Sequence, residues 1–242
     1  MLTREDIVTS EITRQAIEDE LDELLRLRGE EAGELLLVRH AEAARSQGPD
    51  PMLSCTGLAQ AERLAVRLGD SRFEAVYSAP ERKAQQTARI LAGVSGRGVH
   101  VLDGLADIEF DAAGAGIDGT PSRYADRFDE TRRWDSLPGF ECGWQFRRRT
   151  VQTIERVLAL NPGRRVVVVT HASAINAYVS MLLSIPADQF FTPEYSSISI
   201  VRWRAGRYAL RCLNDLSHLS PPVGTTGERE LFTRRSLPLT TR

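Results

Sequence analysis

Four short apolar runs, each followed by a helical pattern, constrain this chain more than any other feature. They are Glu34 to Val38, Phe73 to Tyr77, Val99 to Leu102 and Val166 to Val169. A strand that is apolar at every position has no face to offer water, so layers must cover it on both sides. The intervening segments supply those layers. Thr56-Gly57 opens a helix whose Leu58, Ala61, Leu64, Ala65 and Leu68 share a face. Ser78 is expected to cap a second helix, with Pro80 in its first turn. Gly143 to Leu160 and Ser173 to Ile185 complete the set. This alternation predicts an α/β fold, a three-layer sandwich in which a mostly parallel central sheet carries helices on both faces. Ser197 to Trp203 and Tyr208 to Leu213 read as a hairpin turning at Ala205-Gly206.

The two ends differ from the middle. Residues 3 to 28 read as an amphipathic helix, its stripe carried by Ile12, Ile17, Leu21 and Leu24. Residues 1–33 are therefore expected to be a helix appended to the domain, packed by that stripe and without part in the chemistry. The domain proper spans 34–219. The segment 220–242 is rich in Pro, Gly, Thr and Arg, lacks periodicity and reads as an irregular tail.

A formal net charge of -2 gives no reason to expect nucleic acid or an anionic membrane as a partner. No apolar run approaches the roughly twenty residues that span a bilayer. The three cysteines, Cys55, Cys142 and Cys212, are widely spaced and odd in number, which suits reduced thiols and neither a disulfide framework nor a zinc site. A cytoplasmic location is expected.

In parallel sheets, ligands bind beyond the carboxyl ends of the strands. The residues there are Arg39 and His40, Thr170 and His171, Arg82 one turn into a helix, and a loop with Asp103, Asp107, Glu109 and Asp111. Two histidines, two arginines and several acids at the ends of four strands fit phosphoryl transfer. The transferred group spreads charge over three oxygens that need fixed cationic donors. Arginine matches phosphate geometry. A neutral imidazole can attack phosphorus, and a carboxylic acid can protonate the leaving alkoxide and then activate water.

Leu37-Val38-Arg39-His40-Ala41-Glu42 resembles the arginine-histidine-glycine-glutamate signature of the histidine phosphatase superfamily, which includes the cofactor-dependent phosphoglycerate mutases. Leu53 to Ala61, with Thr56-Gly57 and Gln60-Ala61, resembles the family's second motif, and Tyr77 to Ala88 its serine-proline-arginine-alanine-glutamine-threonine-alanine segment. Val167 to Ala172 resembles its second histidine motif and Asn214 to Leu219 a closing segment of its phosphatase branch. The resemblance implies that His40 is the nucleophile, with Arg39, Arg82 and His171 as the phosphate pocket and the Ala172 N–H as a further donor. Ser46 falls near the family's phosphate-contacting asparagine. The family's acid aligns with Asp107, one methylene shorter than the usual glutamate, and Glu109 is the alternative.

The expected partner is therefore a small-molecule phosphate ester, with no cofactor and no metal, and with a homodimer left open. A phosphatase is favoured. A mutase-type phosphoryl transfer and an anion-binding module without turnover are the competing readings. Glu42, His100 and His218 read as structural, and Arg147-Arg148-Arg149 as a solvated helix face.

Overall fold

The computed structural model describes residues 16, 27, 32–45, 48–69, 71–111, 128 and 130–220. The 3–28 helix as a whole, Ser46, the Ala- and Gly-rich stretch 112–119 and nearly all of the tail lie outside the described residues.

Six strands form one sheet: β1 (Gly33–Arg39), β2 (Ala75–Ser78), β3 (Val99–Val101), β4 (Arg165–Thr170), β5 (Ile198–Arg204) and β6 (Arg207–Asp215), in the order β3-β2-β4-β1-β5-β6. The first four are parallel, with Leu37 opposite Val168 at the centre. β5 runs antiparallel to β1, and β6 to β5. The helices are α1 (Cys55–Gly69), α2 (Arg82–Ser95), α3 (Gly143–Leu160) and α4 (Ala172–Leu182).

The connections from β1 to β2 and from β2 to β3 step toward one edge of the sheet, whereas β3 to β4 steps back. Right-handed crossovers then put α1 and α2 on one face and α3 on the other. α1 packs on α2, and α4 joins α3. The sheet is thus covered twice, and Leu35, Leu37, Val38 and Val166 to Val169 are fully buried, whichever way they point. Truncating Leu37 to alanine would cost about 2–5 kcal/mol. At the β5–β6 turn, Ala205 and Gly206 both have positive φ, 47° and 75°, the two-residue turn whose twist suits a hairpin.

One element departs from expectation. Ser78 does not cap α2; its Oγ donates to the Ala79 carbonyl. The chain stays extended because the Ala79 N–H continues the ladder to Val169 O at 2.9 Å. The helix begins only at Arg82, with Glu81 at its cap position. Among the described residues, no helix is long and apolar enough to cross a membrane.

Candidate active site

His40 follows β1, its N–H still bonded to Thr170 O at 2.9 Å. Its ring Nδ1 lies 2.8 Å from the carbonyl oxygen of Ala41. A carbonyl only accepts, so Nδ1 carries the proton and Nε2 keeps a lone pair. Burial, then the neighbouring His171, with Lys83 and Arg39 behind it, push the ring well below its ordinary 6.5, against the opposing Ala41 bond. At neutral pH the His40 ring is neutral, with its Nε2 lone pair unprotonated.

Side chains from two helices hold the loop after His40. The Ala41 N–H donates to Thr87 Oγ1 at 3.1 Å, the Glu42 N–H to Gln60 Oε1 at 2.9 Å and the Leu53 N–H to Gln86 Oε1 at 2.9 Å. Ser54 caps α1, its Oγ accepting from the Gly57 N–H and donating to Glu42 Oε1. A Cβ on Gly57 would stand 1.9 Å from the Glu42 carbonyl oxygen, so only glycine lets α1 come this close. The threonine, glycine and glutamine of the sequence motifs thus build the nucleophile's seat.

His171 stands at the N-cap of α4, its ring centroid 5.1 Å from that of His40 in an edge-to-face arrangement. Its Nε2 is 2.7 Å from Glu81 Oε2 and its Nδ1 3.4 Å from Asp107 Oδ2. Asp107 Oδ1 accepts from Ser173 Oγ and from the Ile108 N–H. Arg39 donates to Pro193 O at 2.6 Å and lies 3.8 Å over the Tyr195 ring, itself 5.6 Å from His40. Its Nε is buried without a hydrogen-bond partner. A neutral imidazole with a second histidine, an arginine and a carboxyl group beside it can hold an anion and has the groups that transfer chemistry needs.

A family model described as histidine phosphatase superfamily (branch 1) matches residues 35–216. The chain belongs to this superfamily. It is 30% identical over 210 residues to a metal-independent phosphoserine phosphatase of Arabidopsis thaliana, covering 78% of this chain and 84% of the relative. It is 29% identical to phosphoserine phosphatase 1 of Hydrogenobacter thermophilus, covering 76% and 93%. A mycobacterial glucosyl-3-phosphoglycerate phosphatase structure shares the fold, with a TM-score of 0.63 at 24% identity over 76% of this chain and 99% of the other. As a histidine phosphatase, the protein hydrolyses a small phosphate ester through a phosphohistidine.

The phosphatase brings His40, His171, Arg39 and Asp107 together, and Ala172 opens α4 with an N–H that has no acceptor within the helix. Arg82 is a correction. Its side chain is exposed, while its backbone N–H donates to Asp50 Oδ1. One helical residue turns about 100°, and the inward face of α2 is the one bearing Gln86 and Thr87. Lys83, four residues before Thr87, shares that face and is among the charges that depress His40. The motif's register held the clue, since the family's arginine directly precedes its alanine and Lys83 directly precedes Ala84. Glu109 is exposed, and its backbone pairs with Glu141, away from the histidines.

Two further residues escaped the sequence reading. Glu81 meets His171 directly. Arg149, expected on a solvated face, donates to the carbonyls of Gly104, Ala106 and Asp107 and makes two bonds to the Glu141 carboxylate. It fastens the loop that carries the acid. Arg147 is likewise engaged, with Asp188 at 2.8 Å. No local pattern announces the contacts of Arg149 with the carbonyls of Gly104, Ala106 and Asp107, of Arg147 with Asp188 or of Glu81 with His171, which join residues 41 to 90 positions apart.

Proposed function

We propose that His40 Nε2 attacks the phosphorus of a phosphomonoester while Arg39, Lys83, His171 and the Ala172 N–H hold its oxygens. The bond from phosphorus to the leaving oxygen breaks as the N–P bond forms, and Asp107 gives that oxygen its proton. Asp107, now a carboxylate, takes a proton from water as the water attacks the phosphohistidine. Inorganic phosphate leaves and His40 returns to its neutral form. The observation that carries this reading is the His40 tautomer, with Nδ1 spent on Ala41 and Nε2 free beside a second histidine.

The substrate proposed first is phosphoserine, on the strength of the two relatives of that activity. The test is phosphate release from phosphoserine, 3-phosphoglycerate and nitrophenyl phosphate in the presence of EDTA. Release from phosphoserine with the highest kcat/KM, lost in His40→Ala, is expected. Undiminished activity in His40→Ala would overturn the mechanism. Isomerisation of 3-phosphoglycerate with negligible phosphate release would overturn hydrolysis.

A further inference from the structure

Glu81 sits at the N-cap position of α2, where an acid ordinarily accepts from the first free N–H groups of its own helix. It makes no such bond. Its carboxylate turns away, mostly out of solvent, and uses both oxygens elsewhere. Oε2 is 2.7 Å from His171 Nε2, and Oε1 accepts the backbone N–H of Asp107 at 2.9 Å. Burial alone would raise this carboxyl. The bond and charge of His171, helped by the Asp107 N–H, outweigh burial and hold it at about 2.

An ionised carboxylate only accepts, so His171 Nε2 carries a proton. The other nitrogen, Nδ1, is buried and has no hydrogen-bond partner, with Asp107 Oδ2 near it at 3.4 Å. With Nε2 spent on Glu81, Nδ1 is the ring nitrogen left to meet a ligand oxygen. The groups facing this ring are Glu81 from the loop before α2, Asp107 from the loop after β3, and His40 from the end of β1. Two of the three are acids, and the third is held neutral.

We propose that Glu81 is a positioning residue for phosphoryl transfer: its single carboxylate ties the His171 ring to the Asp107 backbone, holds a proton on Nε2 and so presents Nδ1 to the transferred group. The logic is that of a carboxylate orienting a catalytic imidazole, where one nitrogen is held so that the other can act. Here the oriented imidazole is a ring that binds the transferred group and not a base. The same carboxylate sets the distance between the donor and the leaving-group acid. This inference rests on the phosphatase reading above.

The experiment compares wild type with Glu81→Gln, which keeps the shape and removes the charge. Histidine-selective nitrogen NMR reads the Nε2–H of His171, a readout independent of turnover. Wild type is expected to show this proton shifted downfield by its bond to the Glu81 carboxylate, and the variant to lose that shift. With nitrophenyl phosphate, kcat should fall about ten- to a hundredfold. On a His171→Asn background, Glu81→Gln should cost less than about twofold, because the two act as one unit. Identical His171 Nε2–H signals in the two proteins, or additive losses in the double variant, would overturn the proposal. So would a Glu81→Gln enzyme that binds vanadate more tightly and turns over faster, since Glu81 would then be a mere occupant of the phosphate seat. If wild type releases no phosphate from any ester, the phosphatase reading fails by itself and the NMR signal of His171 still decides the role of Glu81. Should the Gln variant not fold, Glu81→Asp, too short to reach His171, is read by the same NMR.

Discussion

His40 donates its Nδ1 proton to the carbonyl of Ala41, its own neighbour, at 2.8 Å, and that bond leaves Nε2 as the nitrogen able to attack phosphorus. The same ring is kept neutral by burial, by His171 and by Lys83 and Arg39. The sign of the pH effect follows. A histidine whose ring is pushed below 6.5 stays unprotonated, and so nucleophilic, as pH falls through 6.5. The acid limb of kcat/KM for nitrophenyl phosphate is therefore expected below pH 6.5. Lys83→Met removes one depressing charge and should move that limb upward, toward 6.5. A limb at or above 6.5 in wild type would contradict the neutral-nucleophile reading.

Lys83 and Arg82 are adjacent cations with opposite expected effects. Lys83 faces the nucleophile and is the chain's one lysine, whereas Arg82 is exposed on the outer side of α2. Lys83→Ala removes a fixed donor from the developing phosphoryl charge and should lower kcat/KM by about 10²–10³-fold. Arg82→Ala is expected within about twofold of wild type, with stability changed by less than about 0.5 kcal/mol. Steady-state kinetics on the two single variants decide the matter, and the reverse ranking would restore Arg82 to the pocket.

Arg149 holds the acid loop through three backbone carbonyls. Arg149→Met strips those acceptors of their donor and leaves Glu141 without its bidentate partner. A loss of roughly 1–3 kcal/mol is expected, seen as a Tm lower by several degrees. Because Asp107 is on the loop that loosens, kcat should fall more on alkyl phosphates than on nitrophenyl phosphate. An equal fall on both would make Arg149 a stability residue only.

The strands and the first residues after them were legible because burial on two faces leaves unbroken apolar runs such as Leu35 to Val38 and Val166 to Val169. That is why Arg39, His40 and His171 emerge from reading strand ends. Asp107 was legible through the family register. The Lys83 for Arg82 exchange turns on a single step of a helix, which strand-end logic cannot resolve. Glu81 and Arg149 were hidden for another reason. Glu81 lies inside the Tyr77 to Ala88 segment at a position the family pattern does not mark, and its partner His171 is 90 positions away. Arg149 lies in an Arg-rich helical turn whose composition looks solvated, yet its acceptors are backbone oxygens, which no side-chain pattern records.

The acid is the last assignment to be tested. Asp107 lies beside His171, anchored through Oδ1 by Ser173 and by the Ile108 N–H, and its Oδ2 is 3.4 Å from the His171 Nδ1. Glu109, two residues on, belongs to the exposed stretch that pairs with Glu141 and the Phe140 strand-like bridge. Protonation matters most for a poor leaving group, so an alkyl alkoxide needs the acid and nitrophenolate hardly does. Asp107→Asn should therefore lower kcat/KM about 10²–10⁴-fold on phosphoserine and far less on nitrophenyl phosphate. With nitrophenyl phosphate, whose first step stays fast, the variant should instead accumulate phosphohistidine, because the base that activates water is gone. Glu109→Gln should match wild type on both esters. Measuring the two variants on the two esters, with acid-quenched phosphoenzyme as the third readout, separates the roles: a Glu109→Gln enzyme crippled on phosphoserine alone would transfer the assignment from Asp107 to Glu109.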